Sequence, residues 1–154
     1  MKGDLEVIEY LNKALKLELT AVNQFFLHAR ILDDWGFETL GKKMYEESLE
    51  EMRHADTIIQ RILMLEGHPN LQDLAGIRIG ETVKEMHEVD LKTEYEAKAL
   101  YTEALTLCEQ KKDYVTRELF TKILGDEEEH IDWLETRLSL IERVGEQNYL
   151  QSIM

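Results

Sequence analysis

Two copies of a Glu-x-x-His pattern are the residues of this chain best suited to chemistry. The first copy is Glu51 with His54, and the second, 76 residues later, is Glu127 with His130. A further glutamate stands 33 residues before each copy. The two matched sets are Glu18, Glu51 and His54 in one, and Glu94, Glu127 and His130 in the other. The chain has only five histidines, so the duplication is hard to attribute to chance.

The spacing of these residues predicts a two-metal site. On an α-helix, residues i and i+3 share one face, so the glutamate and histidine of each pair can reach a common ion. Four carboxylates and two imidazoles on four facing helices form such sites in bundles. Burying an unpaired carboxylate in a protein core costs several kcal/mol. Two divalent cations would neutralise the charges of four such carboxylates and remove this cost. We expect Glu51 and Glu127 to bridge the ions, with Glu18 and Glu94 as terminal ligands.

The donor types narrow the choice of metal. A set rich in oxygen, with two nitrogens and no thiolate, suits Fe or Mn, and Zn could also bind. The alternative is that these are solvated helix glutamates and two core histidines. That alternative would be favoured for a single Glu-x-x-His in so acidic a chain, but the duplicated set argues strongly against it.

Long amphipathic helices must position these residues. The predicted segments are a helix from the Asp4 cap to about Trp35, one from Glu38 to Glu66, one from the Thr82 cap to Gln110, one from the Asp113 cap to Val144, and a short one over Glu146–Gln151. In each long helix a ligand stands within a seam of apolar residues. The long connection from His68 to Glu81 can cross the length of a bundle. We therefore predict an all-α four-helix bundle with one long crossover, a short C-terminal fifth helix, and a single domain over residues 1–154.

Composition limits the partners of this chain. Asp and Glu number 32 against 18 Lys and Arg, which gives a formal charge of −14. Nucleic acid and anionic membranes would repel such a surface.

The N-terminus shows no secretory leader, and no stretch approaches the roughly 18 apolar residues of a membrane span. The single cysteine, Cys108, lies on an apolar helix face, which indicates an inert buried thiol. We predict a cytoplasmic protein with no nucleic-acid or membrane partner.

At the metal motif and beyond it, the chain resembles the bacterioferritins over essentially its whole length. Segments that look like that family are Met1-Lys2-Gly3-Asp4, Asn23-Gln24, Phe26-Leu27-His28-Ala29-Arg30, Trp35-Gly36, Glu66-Gly67, Pro69-Asn70-Leu71-Gln72-Asp73-Leu74, His130-Ile131-Asp132-Trp133-Leu134-Glu135 and Asn148-Tyr149-Leu150-Gln151. The resemblance implies a shell of twenty-four identical subunits, a di-iron ferroxidase centre in each bundle and a ferric mineral inside. It also implies haem b shared at two-fold interfaces, and a ferredoxin as a possible partner for iron release.

The haem ligand implied by the resemblance is one methionine from each of two subunits, and it maps onto Met52. A helical methionine is usually core filler. Met52, however, is rotated by about 100° from the Glu51 side of its helix. We therefore expect Met52 to face away from the bundle centre, where a two-fold partner could share the ligand.

Three positions depart from the family pattern. Family members often carry a tyrosine beside the centre on the first helix, where this chain has Phe25, and a His and an Asp where it has Glu46 and Glu50. Phe25 cannot supply a phenolic electron or hydrogen bond, which argues against a radical route there. Glu46 and Glu50 either gather iron or are solvated glutamates. By analogy, the positions expected to line pores are Asp34, Glu66 and Asp132.

The functional expectation is iron storage and detoxification by a ferroxidase that uses O2 or peroxide. One rival is a rubrerythrin-like peroxidase or a di-iron oxygenase, although the chain lacks a second cysteine for a rubredoxin-type centre. Another rival is a non-enzymatic haem or interaction protein in which bound metals only stabilise the bundle. A DNA-binding mini-ferritin is disfavoured by the negative charge and the lack of a basic tail.

Overall fold

Five α-helices build the fold, and the computed structural model describes all residues, 1–154. Their bounds are α1 Leu5–Asp34, α2 Glu38–Met64, α3 Val83–Lys111, α4 Tyr114–Val144 and α5 Glu146–Ser152. α1 packs along α2, α3 packs along α4, and the two hairpins join mainly through α1 and α3, while α2 and α4 contact each other sparsely. The predicted all-α bundle with a short fifth helix is confirmed. None of the helices combines the length and apolar character needed to cross a membrane.

Side-chain caps fix the starts of three long helices, as the sequence predicted. The carboxylate of Asp4 accepts hydrogen bonds from two backbone N–H groups of the first turn of α1. Thr82 Oγ1 accepts from the N–H of Glu85 at 3.1 Å, and Asp113 Oδ1 accepts from the N–H of Thr116 at 3.0 Å. Each cap satisfies backbone donors that a helix start otherwise leaves unpaired.

The end of α2 differs from the prediction. The helix stops at Met64, two residues before the expected Glu66, and Glu66 itself has a left-handed backbone (φ 61°). A Cβ at the following residue, Gly67, would lie 2.8 Å from Cγ2 of Ile8 and 2.9 Å from Cγ2 of Ile62, so glycine permits this close approach. The other helix ends fall within one residue of their predicted positions.

Two apolar clusters fill the bundle and leave a polar layer between them. One contains Leu11, Leu15 and Phe120, and the other contains Phe25 and Met44. The metal-ligand positions of the four helices fall between these clusters, so apolar side chains lie on both sides of the carboxylates. An ion in this layer has little water to solvate it, which raises the cost of an uncompensated charge.

A buried polar network holds the crossover between α2 and α3 against α1 and α3. Gln24 Oε1 accepts from the N–H of Arg78 at 3.0 Å, and Gln24 Nε2 donates to Asp90 at 2.8 Å. His28 Nε2 accepts from the N–H of Gly80 at 3.0 Å. His28 Nδ1 must therefore carry the ring proton, and it donates to Asp90 at 3.0 Å.

The short helix α5 is held to the bundle through a buried histidine. The side chain of Tyr149 is buried, and its hydroxyl lies 2.9 Å from Nε2 of His87. The ring of His87 also packs edge-on against Trp133. Burial is the main reason that the pKa of His87 is lowered to about 3. His87 is therefore neutral in the folded chain.

Replacing His87 with leucine should flatten the pH dependence of stability. Between pH 6.5 and about 3, the unfolded chain binds a proton at His87 that the folded chain does not. Folded stability therefore falls with decreasing pH through this window, by about 1.4 kcal/mol per pH unit from this residue alone. We expect the free energy of unfolding, measured by urea titration at several pH values, to fall less steeply in His87→Leu. Tyr149→Phe, which loses the same hydrogen bond but keeps the histidine, should retain the wild-type slope. Equal slopes in wild type and His87→Leu would contradict this account.

Candidate di-metal centre

All six predicted ligands lie in the polar layer between the two apolar clusters. α1 contributes Glu18, α2 contributes Glu51 and His54, and each of these side chains is at most 7% exposed. α3 and α4 contribute the remaining three, which are at most 3% exposed: Glu94, Glu127 and His130. The repeat in the sequence thus becomes an approximate two-fold arrangement around the bundle axis.

The first group of donor atoms centres on Nδ1 of His54. This nitrogen lies 3.4 Å from Glu18 Oε2, 3.5 Å from Glu51 Oε2 and 3.3 Å from Glu127 Oε1. The donor atoms of the four residues all lie within 4.8 Å of one another. Such a cluster could bind a divalent cation with three oxygens and one nitrogen.

The second group contains a residue that the sequence pattern missed. Glu47, Glu51 and His130 place their donor atoms within 4.8 Å of one another. Nδ1 of His130 lies 3.5 Å from Glu47 Oε2 and 3.7 Å from Glu94 Oε1. Glu47 and Glu94, the predicted terminal ligand, thus both lie beside His130, and Glu47 is the one grouped closely with Glu51. Glu47 belongs to the seam of α2, but the internal repeat does not indicate it as a ligand, because the residue 76 positions later is Ile123.

Unpaired buried polar atoms concentrate at this layer. The chain has nine buried side-chain nitrogen or oxygen atoms without a hydrogen-bond partner, and seven belong to five of the six predicted ligands. They are Glu18 Oε2, His54 Nδ1, Glu94 Oε2, both carboxylate oxygens of Glu127 and both ring nitrogens of His130. Leaving such atoms unsatisfied costs about 1–3 kcal/mol each. Cations would satisfy all of the oxygens and one nitrogen of each ring, so the residues fit a pair of bound metal ions.

Protonation partly offsets the repulsion between these carboxylates. Burial, followed by the charges of Glu127 and Glu18, raises the pKa of Glu51 well above its usual value. Burial and the charge of Glu18 also raise the pKa of Glu127. Burial opposes the charge on His54, but the facing carboxylates of Glu127 and Glu18 raise its pKa to about 11. Cations that bind here must displace these protons.

Two aromatic side chains border the layer on opposite sides. The hydroxyl of Tyr101, a fully buried residue of α3, donates a hydrogen bond to Glu18 Oε1. The ring of Phe25 packs edge-on against His130, with the ring centroids 5.3 Å apart. A phenol therefore does contact the site, although it comes from α3 and not from the α1 position where family members carry tyrosine.

A polar groove between α2 and α4 leads to the layer. Its volume is about 430 Å³, and its lining includes Glu47, Glu50, Asp126 and His130. Glu50 is half-buried in this groove, whereas Glu46 is exposed. The sparse contact between α2 and α4 opens this side of the bundle. Five acidic residues line this groove together with Lys43 and Arg137, and the groove gives access to the His130 side of the layer.

The remaining predicted residues lie at the surface. Met52 is 46% exposed on α2, pointing away from the carboxylate layer as expected. The three residues proposed for pores, Asp34, Glu66 and Asp132, are also exposed, and Asp132 lines the groove described above. None of these four side chains contacts the candidate metal ligands.

A four-helix bundle with a carboxylate and histidine layer at mid-height defines a ferritin-like protein. In agreement, residues 8–144 match the family model described as a ferritin-like domain. The chain is 55% identical to a bacterioferritin of Brucella melitensis over 98% of its length and 94% of that relative. It is 52% identical to a bacterioferritin of Rhodobacter capsulatus over 97% of its length and 92% of the relative. This chain belongs to the bacterioferritin family.

Removing one buried carboxylate should have opposite effects with and without metal. In Glu51→Gln we expect the melting temperature of EDTA-treated protein at neutral pH to rise by a few degrees, because folding no longer has to take up a proton on a buried glutamate whose pKa is raised. The increase in melting temperature caused by excess Zn²⁺ should shrink, because a ligand is lost. Glu128→Gln, an exposed change on α4, serves as the control for net charge. A Zn²⁺-induced increase as large as that of wild type would argue against Glu51 as a ligand.

Proposed function

We propose that this chain stores iron and oxidises Fe(II) to Fe(III) at the carboxylate and histidine layer, with O2 or peroxide as the oxidant. The observation that supports this most strongly is the convergence of seven unpaired buried donor atoms on one layer. Membership of the bacterioferritins supports iron storage as the general role. An oxygen-rich set with two imidazoles suits iron, and it lacks the thiolates of softer sites.

Each ligand has a distinct role in the proposed site. Glu51, which belongs to both donor groups, and Glu127 would be shared between two iron ions, Glu18 and Glu94 would hold one ion each, and His54 and His130 would each add one nitrogen. When bound, the iron pair supplies one electron from each ion to the oxidant. The protons held by Glu51, Glu127 and His54 leave as the cations bind. Glu47 is suited to receive ions from the groove, because it lines the groove and its carboxylate lies beside His130.

The assembly and haem site are proposed from the family relationship. We infer a shell of twenty-four identical subunits with mineral inside, and haem b held at two-fold interfaces by Met52 of each subunit. The outward position of Met52 supports this, as does its exposed apolar neighbour Leu49 one turn earlier on the same face. Cytoplasmic location and iron release through a ferredoxin remain predictions.

Fast Fe(II) oxidation should depend on the bridging glutamates. We expect O2 added to anaerobic protein with Fe(II) to give a fast ferric phase that saturates near two iron ions per chain in a stopped-flow spectrometer. Glu51→Ala and Glu127→Ala should lose this phase while the shell still assembles, and Glu128→Ala should keep it. Unchanged kinetics in both bridging variants would refute the site assignment. Absence of a fast phase in wild type, together with tight Zn²⁺ binding, would instead favour a structural metal site.

Haem binding should depend on Met52. We expect Met52→Leu to lose the Soret absorbance of protein reconstituted with haem, because leucine provides no sulfur ligand to the iron. Met64→Leu, at an exposed methionine of the same helix, should bind as much haem per chain as wild type. Wild-type haem content in Met52→Leu would show that another residue ligates the haem.

A further inference from the structure

The internal repeat allows the two metal positions to be compared residue by residue. The ligands match at an offset of 76, but three positions that surround them do not. The mismatched pairs are Phe25 with Tyr101, Glu50 with Asp126, and Glu46 with Lys122. Since the ligands themselves are equivalent, these pairs account for much of the difference between the two halves.

The first mismatch affects the terminal carboxylates. Tyr101 donates a hydrogen bond to Oε1 of Glu18, which leaves Oε2 of that carboxylate directed toward His54. At the equivalent place in the other half, Phe25 offers no donor, and Glu94 Oε2 has no hydrogen-bond partner. Glu18 is therefore held in one orientation, whereas no hydrogen bond to Oε2 restrains Glu94.

The second mismatch affects the histidines, beginning with His54. Nε2 of His54 lies 2.9 Å from Asp126 Oδ2. Both oxygens of Asp126 in turn accept hydrogen bonds from Nζ of Lys122, at 2.8 Å each. A proton on Nε2 that is donated to Asp126 leaves the lone pair of Nδ1 free to bind a metal. A carboxylate in this position both orients the ring and increases its basicity as a ligand.

His130 has no such support. Its counterpart to Asp126 is Glu50, whose carboxylate lies 3.8 Å from Nε2 of His54 rather than against His130. The counterpart of Lys122 is the exposed Glu46, which cannot form an ion pair with Glu50. Neither ring nitrogen of His130 has a hydrogen-bond partner. Apart from the ligand carboxylates of Glu47 and Glu94 near Nδ1, only packing against Phe25 and Trp133 orients this ring.

We infer that the two metal positions are unequal, and that Tyr101 and Asp126 are positioning residues that make the Glu18–His54 position the tighter one, filled first. This inference rests on the proposed di-metal function. The physical reason is preorganisation, because ligands already held in the binding orientation lose less freedom when the ion binds. The Glu94–His130 position fills second and releases its ion more readily.

Stepwise Co²⁺ binding tests this inequality without any turnover. Metal-free protein is titrated anaerobically with Co²⁺, and the d–d absorption of the bound ion reports each step. We expect two steps that differ in affinity by at least about tenfold, and Tyr101→Phe or Asp126→Ala should weaken the tighter step by about 10–100-fold. The weaker step should stay unchanged. Asp126→Asn, which keeps an acceptor for His54, should recover part of the lost affinity.

Matched variants assign each step to one half of the site. His54→Ala should remove the tighter step and its absorption bands, and His130→Ala should remove the weaker step. Phe25→Tyr, which adds the missing phenol, should strengthen the weaker step. Tyr95→Phe removes an exposed phenol of α3 bonded to Glu135 and serves as a control with unchanged affinities. Far-UV circular dichroism and particle size establish that each variant folds and assembles.

Each outcome bears on a different part of the proposal. Binding of fewer than two Co²⁺ per wild-type chain would overturn the di-metal function itself. Two equivalent steps in wild type would overturn the inequality but leave the function standing. Equal weakening of both steps in Tyr101→Phe or Asp126→Ala would show that these residues stabilise the bundle as a whole and do not position one half.

Discussion

Burial of four carboxylates between two apolar clusters is the constraint on which the rest of this structure depends. Such a layer is unfavourable unless protons or cations compensate it. Burial raises the pKa values of Glu51 and Glu127, which favours protons on these carboxylates where no cation is bound. The same carboxylates therefore hold protons and are also the candidate ligands for cations. The apolar residues above and below the layer stabilise the fold and also strengthen the attraction of the layer for metal ions.

Much of the fold and most of the site could be predicted because their signals are local. Side-chain caps such as Thr82 and periodic apolar seams depend on neighbours within one or two turns. The ligands could be found because the chain repeats them at a fixed offset. The left-handed backbone of Glu66 could not be predicted, because glutamate rarely adopts that conformation. Glu47 escaped because the repeat replaces it with the core residue Ile123.

The partners of the ligands could not be predicted in the same way. The hydrogen bond from Tyr101 to Glu18 joins α3 to α1, and the contact between Asp126 and His54 joins α4 to α2. Such contacts depend on rotamers and helix packing that no spacing rule encodes. Phe25, taken alone, suggested that the site lacks a phenol, yet Tyr101 in the opposite half of the bundle supplies one. A departure from a family pattern is thus best judged together with its counterpart across the internal repeat.

The crossover network has a consequence for local unfolding. Irregular segments usually open at low free-energy cost, independently of the core. Here the amides of Arg78 and Gly80 bind to buried side chains of α1, and these side chains share the carboxylate of Asp90 on α3. Releasing this part of the crossover would strip partners from Gln24 and His28 within the core. We therefore expect the segment to unfold together with the bundle. Partial unfolding should begin on the opposite side, along α2 and α4.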